Sequence, residues 1–316
     1  MRVVFFGTPE WAVPFLEALA ASRHEVDAVV TAPDAPVGRS RRPQPPPVKR
    51  AAAELGIAPV LQPATLKDRG AREEILRFGS DALVVVAYGR ILPGRLLDAP
   101  RHGAVNVHFS LLPRHRGASP VQHAILHGDK RTGVTTMLMT RGLDEGPILL
   151  QQATTIGERE TAGELGARLA VMGAPLLVET LDRLEEGTLL PTPQPPDGVS
   201  LAPRLTPDMG RVAWDRPAAE IDRMVRAFDP WPPVVTWGPR GRLRLLEVRP
   251  ADEPAPEGAR PGEVLGRRGD SALVACGGGT VLELARLQPD GGRPMTGAAA
   301  LAGRHLREGG RLGSGP

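Results

Sequence analysis

Apolar residues in the first half of the chain form short, nearly continuous runs separated by amphipathic segments. The runs RVVFFG (2–7), ALVVVAYG (82–89) and GAVNVHFS (103–110) are typical of strands that are covered on both faces. The segments TPEWAVPFLEALAAS (8–22) and SPVQHAILHGD (119–129) have the pattern of helices. This order predicts an open, mostly parallel α/β sheet with helices on both sides, ending near residue 189.

The pattern changes in the second half. The stretch around 190–206 is rich in proline and has no hydrophobic period, which predicts a linker. One helical segment follows at 217–228, and then come short alternating runs such as RLRLLEV, SALVACG and TVLELARL, separated by Gly, Pro and Asp. Short strands at regular spacing predict a smaller β-barrel as a second domain over 207–316.

Composition agrees with this division and excludes several classes of protein. A chain of 316 residues is long enough for two domains, and its 41% apolar and 24% charged residues are those of a globular protein. Aromatic residues, at 3%, are too few for binding by extensive base stacking. A single cysteine, Cys276, excludes an internal disulfide framework, and the start lacks a signal-peptide pattern. No segment approaches the roughly 20 apolar residues of a membrane span. We therefore expect a cytoplasmic protein that does not cross a membrane.

One loop of the first domain stands out by its length and charge. The segment TAPDAPVGRSRRPQPPPVKR (31–50) is far longer than a usual connection of about 2 to 6 residues. It is either a solvated surface loop or an arm whose Arg39, Arg41 and Arg42 bind phosphates. The net charge of +3 is compatible with a nucleic-acid partner without demonstrating one.

The sequence gives little support for a bound dinucleotide or for a metal ion. The segment around Gly7 has one glycine where a dinucleotide fingerprint needs three. Five of the seven histidines lie between residues 102 and 127, and His123 and His127 have the spacing of metal ligands on a helix. However, HAILH lacks the glutamate of a zinc protease, and no cysteine lies in the cluster. The sequence therefore predicts no metal.

Asn106 and His108 are the best candidates for chemistry. Two apart on one strand, they project from the same face near its carboxyl end, where ligands bind in open α/β folds. An amide and an imidazole together can polarise a carbonyl group and hold an oxyanion. Asp144 lies in a turn after the next strand, where it could orient the imidazole or relay a proton.

Three segments carry a family resemblance: NVHFSLLPRHRGASPVQ (106–122), GVTTMLMTRGLDEGPIL (133–149) and VVVAYGRILP (84–93). They are similar to the signature segments of formyltransferases that use 10-formyltetrahydrofolate. The resemblance spans essentially the full length, through FFGTPEWAVPFLEAL, RAFDPWPP and VACGGGTVLELARLQPDGGRPM. The arm and the C-terminal segments resemble those of members that formylate methionyl initiator tRNA.

The resemblance implies a doubly wound sheet domain, an oligonucleotide-binding (OB-like) barrel and a set of site residues. The implied catalytic residues are Asn106, His108 and Asp144. The implied tetrahydrofolate contacts are Ser110, Leu111, Leu112 and Pro113. The implied contacts to the acceptor arm of initiator tRNA are Arg39, Arg41 and Arg42.

Two positions depart from the family pattern, and two rival functions stay open. Phe109 replaces a small residue, so its ring either narrows the pocket or points into the core, and Pro43 cannot present the side chain usual in the arm. One rival is a formyltransferase for a small amine, such as an amino-sugar nucleotide or glycinamide ribonucleotide. The other is a noncatalytic tRNA-binding protein. A monomer is the default oligomeric state.

Overall fold

The chain, in this computed structural model, is described over residues 1–36, 42–313 and 315. It divides into two compact units. The first consists of Met1–Pro120, Lys130–Ile156 and Glu164–Pro203, and the second of Val121–Asp129, Gly157–Gly163 and Arg204–Pro316. The domain limits expected at residues 189 and 206 stay predictions. In the structure, the first compact unit extends to Pro203.

Strands and helices alternate along the first part of the chain, as the hydrophobic pattern predicts. In chain order they are β1 (Arg2–Gly7), α1 (Val13–Ala20), β2 (Glu25–Val30), β3 (Ala35–Pro36), β4 (Pro43–Gln44), α2 (Pro47–Glu54), β5 (Val60–Leu61), α3 (Arg69–Leu76), β6 (Ala82–Val86), α4 (Gly94–Asp98), β7 (Ala104–His108), α5 (Pro120–Leu126), β8 (Arg131–Leu138), β9 (Ile148–Thr155) and α6 (Ala162–Glu185).

Seven of these strands form one sheet in the order β5-β2-β1-β6-β7-β8-β9. The five strands from β5 to β7 are parallel, and β8 and β9 join antiparallel at one edge. The predicted mostly parallel α/β sheet is therefore confirmed. The strand order reverses between β1 and β6, and the carboxyl ends of strands near such a switch are where ligands bind in this architecture.

The interior of the sheet is apolar because its central strands are covered on both faces. Every residue of β6 and β7 is buried, including the polar pair of β7. On the face that carries Asn106, the side chains of Phe6, Val85 and Ala104 belong to one buried cluster. The two polar groups of β7 thus continue an apolar face toward the carboxyl edge.

The second unit contains a curled antiparallel sheet. Its elements are α7 (Ala218–Ala227), β10 (Val235–Gly238), β11 (Gly241–Pro250), β12 (Val264–Arg268), β13 (Ser271–Ala275), β14 (Val281–Pro289), β15 (Met295–Thr296) and α8 (Gly297–Ala302). The strand order is β10-β11-β14-β13-β12, with β15 on β14. Arg311 bridges to Glu263 beside β12, and Gly313 bridges to Trp237 of β10, so one segment links both sheet edges. The predicted small barrel is confirmed.

Two further expectations concern the environment of the chain. Among the described residues, no helix combines the length and the apolar character needed to cross a bilayer. Cys276 is buried, and this burial raises the pKa of its thiol to about 12, so the thiol is inert at neutral pH. A cytoplasmic location stays a prediction.

Candidate active site

Strand β7 places Asn106 and His108 at the carboxyl edge of the sheet. Both side chains are buried, with 9% and 5% of their residue surface exposed. Asn106 lies beside Val85 of β6 on one side and Met137 of β8 on the other, and His108 lies beside Thr135. The two-residue period of a strand puts both polar groups on one face, as the sequence predicts.

Both ring nitrogens of His108 have defined neighbours. Nε2 lies 2.8 Å from the carbonyl oxygen of His115, which can only accept, so Nε2 carries a hydrogen. Nδ1 lies 3.7 Å from Oδ2 of Asp144, beyond hydrogen-bond length but within ion-pair range. Burial lowers the pKa of His108 below its ordinary value, and the Asp144 carboxylate and the His115 carbonyl partly oppose that shift.

Asp144 is held in an unusual backbone conformation. Its φ is +47°, in the left-handed region that costs a non-glycine residue about 1 to 2 kcal/mol. Its Oδ2 accepts a hydrogen bond of 2.8 Å from the backbone nitrogen of Gly117. The loop after β7 therefore fixes one carboxylate oxygen, and the same oxygen faces His108.

Gly117 is required where the proline-rich segment after α6 crosses this loop. Its φ is +124°, and a Cβ at this position would lie 2.5 Å from the carbonyl oxygen of Ala202. Backbone hydrogen bonds on either side hold the crossing: Arg116 donates to Ser200 at 2.8 Å, and Ala202 donates to Arg116 at 2.7 Å. We call residues 189–203 the strap, because this stretch is hydrogen-bonded across the site.

Several groups of the segment expected to bind tetrahydrofolate form hydrogen bonds within the protein. Ser110 is fully buried, and its Oγ donates to the carbonyl oxygen of Arg114 at 2.6 Å. Thr135 Oγ1 donates to Ser110 O and accepts from Leu112 N, and Gln151 donates to Leu112 O at 3.0 Å. Leu111 and Pro113 are half-buried. The expected role of these four residues stays a prediction, and Thr135 and Gln151 were not expected at the site.

The ring of Phe109 points into the core. It is 6% exposed and packs against Trp11 and Phe15, with ring centroids 5.9 Å and 6.0 Å away. Trp11 in turn lies on Gly166, where a Cβ would meet the indole at 2.1 Å. Phe109 therefore fills the space between β7, α1 and α6 rather than narrowing a pocket.

The remaining histidines and the arm are placed as follows. The rings of His123, in α5, and His127, one residue beyond its end, meet edge to face at 5.9 Å, and His123 is buried. Arg39 and Arg41 lie outside the described residues. Arg42 is exposed, next to the short hairpin in which β3 pairs with β4.

The fold and this site define a protein of the formyl transferase class. A family model described as "Formyl transferase" matches residues 1–181, which include every element of the candidate site except the strap. A second model, "Formyl transferase, C-terminal domain", matches residues 204–305.

Individual relatives narrow the group. Methionyl-tRNA formyltransferase of Heliobacterium modesticaldum is 47% identical over 99% of this chain and 100% of its own length. That of Thermobifida fusca is 47% identical over 99% of both chains. The chain belongs to the formyl transferase family and, within it, to the group of the methionyl-tRNA formyltransferases.

Solved structures share the fold at low identity. The N-formyltransferase from Helicobacter canadensis, in complex with folinic acid and dTDP-3-aminofucose, is 17% identical with a TM-score of 0.66, over 90% of this chain and 98% of that one. HypX from Aquifex aeolicus, in complex with tetrahydrofolic acid, is 16% identical with a TM-score of 0.65, over 98% of this chain and 48% of that one.

Proposed function

We propose that this protein transfers the formyl group of 10-formyltetrahydrofolate to the α-amine of methionine esterified to initiator tRNA. The membership of the methionyl-tRNA formyltransferase group supports the reaction and its acceptor. The observation that carries the chemistry is the approach of the Asp144 carboxylate to Nδ1 of His108, beside Asn106 at the carboxyl edge of the sheet.

Asn106 supplies the amide that stabilises the developing negative charge. When the neutral amine attacks the formyl carbon, a carbon–nitrogen bond forms and the formyl oxygen becomes an oxyanion. A side-chain amide donating to that oxygen typically contributes about 10²- to 10³-fold in rate. Because Asn106 is buried on a central strand, its donor is already oriented before the substrate arrives.

His108 and Asp144 manage the proton. Since burial lowers the pKa of His108, the ring is neutral at pH 7, and its Nδ1 is an acceptor because Nε2 carries the hydrogen bonded to His115. Nδ1 takes the proton that the attacking amine loses, and the nearby Asp144 carboxylate stabilises the imidazolium. The imidazolium then returns the proton to N10 of the folate as the bond from formyl carbon to N10 breaks.

The carboxyl edge of the sheet also has an apolar character that suits a folate. Ile91, in the loop after β6, is 90% exposed, and Leu143, next to Asp144, is 63% exposed. Exposed apolar side chains of this size, next to polar groups, are typical of a ligand site. With Leu111 and Pro113 they offer the surfaces against which the ring system of 10-formyltetrahydrofolate would lie.

Arginines of the second unit support a tRNA partner. A cavity of about 920 Å³ is lined by Pro239, Arg240, Arg267, Leu301, Arg304, Leu306, Arg307 and Glu308. Arg240 donates to the carbonyl oxygen of Gly303, whereas the guanidinium groups of Arg267, Arg304 and Arg307 have no ion pair or hydrogen bond among the described residues. Guanidinium groups without a protein partner are ready to bind phosphates.

One assay tests the proposal. Purified protein is given 10-formyltetrahydrofolate with methionyl initiator tRNA, methionyl elongator tRNA, or small amines such as an amino-sugar nucleotide. We expect formylmethionyl-tRNA only with the initiator. Preferential formylation of a small amine, or tRNA binding without any transfer, would contradict the proposal. Arg39, Arg41 and Arg42 of the long loop are then the first candidates for contacts to the acceptor arm of the tRNA. We expect the monomer to be active.

A further inference from the structure

Within residues 190–199 of the strap, one side chain is partly withdrawn from solvent. From Leu190 to Val199 every residue is exposed except Gln194, which is half-buried. Proline residues precede and follow it, so the backbone there forms no regular element. A half-buried polar side chain in an otherwise solvated stretch calls for partners, since withdrawing an unpaired amide from water is costly.

Gln194 uses its full hydrogen-bonding capacity on the two loops of the site. Nε2 donates to the backbone oxygens of Asp144 and Gly146, both at 2.8 Å. Oε1 accepts from Nε and Nη2 of Arg116, at 3.0 Å and 2.7 Å. An amide group offers two donor hydrogens and two lone pairs, and all four are engaged.

These contacts join the segments that hold the catalytic groups. Arg116 lies between His115, whose carbonyl oxygen fixes Nε2 of His108, and Gly117, whose amide holds the Asp144 carboxylate. The strap is itself anchored beside Gln194, since Thr192 and Ile148 exchange two backbone hydrogen bonds of 2.8 Å. A residue of the strap therefore bridges the loop after β7 and the turn that carries Asp144.

We propose that Gln194 is a positioning residue for formyl transfer, which holds the Asp144 carboxylate at its working distance from His108. This inference rests on the function proposed above. Without the two donated hydrogen bonds, the left-handed turn at Asp144 relaxes and the carboxylate moves away from Nδ1. Substrate binding, which depends on other surfaces, is retained.

Kinetics of Gln194→Ala in the full-length protein test this role. We expect kcat for methionyl initiator tRNA to fall about 10- to 100-fold, as for displacement of a catalytic group by an ångström, with both KM values nearly unchanged. Gln152→Ala is the matched control, because Gln152 is exposed on β9 and makes no side-chain hydrogen bond to the described residues. A folded Gln194→Ala enzyme with wild-type kcat would overturn the proposal.

Gln194→Glu separates the two halves of the contact. A glutamate keeps the acceptor for Arg116 but loses both hydrogens donated to the Asp144 turn, so its kcat should fall as in Gln194→Ala. Wild-type kcat in Gln194→Glu would assign the effect to Arg116 and contradict the proposal. So would a lower melting temperature with unchanged kcat, which is the result of a merely structural role.

A titration of His108 by NMR gives a readout that does not depend on turnover. Because the carboxylate raises the pKa of His108 against the effect of burial, its withdrawal in Gln194→Ala should lower that pKa further. An unchanged pKa would overturn the positioning role even if the wild-type protein formylated no tRNA. Failure of transfer by the wild-type protein would overturn the proposed function alone.

Discussion

His108 and Asp144 approach each other without forming a hydrogen bond, since Nδ1 and Oδ2 are 3.7 Å apart. The carboxylate is committed to the amide of Gly117, and the other ring nitrogen is committed to His115. Nδ1 is thus near a negative charge but takes part in no hydrogen bond with the described residues. The pair therefore stabilises a proton that His108 carries only during the transfer, and it leaves the resting ring neutral.

The pH dependence of the reaction should show this arrangement. Both the acceptor amine and His108 must be neutral, and burial places the pKa of His108 below about 6.5. Log kcat/KM should rise with pH at a slope near 2 below the pKa of His108 and near 1 between this pKa and that of the amine.

Loss of the Asp144 charge in Asp144→Asn should move the change of slope to lower pH and reduce kcat by orders of magnitude. His108→Ala should leave a slope near 1 at all pH values below the pKa of the amine. A fully active Asp144→Asn enzyme would exclude the mechanism.

Asn106→Ala should remove the oxyanion donor alone. Because one donor contributes about 10² to 10³ in rate, kcat should fall by this factor while the Kd for initiator tRNA stays near the wild-type value. Single-turnover transfer and filter binding measure the two quantities separately. A parallel loss of tRNA affinity would show that Asn106 acts in binding instead.

Phe109→Ala should destabilise the first unit. Removing a buried ring that contacts Trp11 and Phe15 costs about 3 to 5 kcal/mol in the free energy of unfolding. Ile91→Ala is the informative control, because Ile91 is 90% exposed at the ligand edge. It should leave stability within about 0.5 kcal/mol and raise KM for the folate. Urea unfolding and steady-state kinetics distinguish the two outcomes.

The double variant Arg304→Ala, Arg307→Ala should weaken tRNA binding and its dependence on salt. Each lost phosphate contact lowers the slope of log K against log salt by about 0.7 to 0.9. The control Arg242→Ala, Arg249→Ala removes the same charge from arginines already paired with Asp290 and Glu247. Equal effects of both pairs would mean that only net charge matters and that the cavity binds no phosphate.

The sequence predicts best the features that follow from the local pattern of hydrophobic and polar residues. Alternation along β7 puts Asn106 and His108 on one face, and the short runs after residue 230 predict the barrel strands. The sequence leaves the direction of Phe109 open, because the pattern along one strand does not show that Trp11 and Phe15 pack against its ring.

The strap shows what periodicity cannot reveal. Its prolines exclude regular structure, so it looks like a linker, but Gln194 finds partners 50 and 78 positions away along the chain. Thr135 and Gln151 were missed for the same reason, since their hydrogen bonds to the Ser110–Leu112 backbone depend on how β8 and β9 pack. A glutamine between prolines follows no such pattern, so the sequence alone does not indicate the role of Gln194.

The way the two units alternate along the chain bears on attempts to build chimaeras. The chain changes unit at residues 121, 130, 157, 164 and 204. A chimaera joined just after α6 would lack its own strap and therefore the two hydrogen bonds that Gln194 donates to the turn at Asp144. A splice after Pro203 would keep the strap but separate the barrel from two short segments that cluster with it. Recombination between relatives should therefore yield active hybrids only when 121–129 and 157–163 come from the same parent as the barrel.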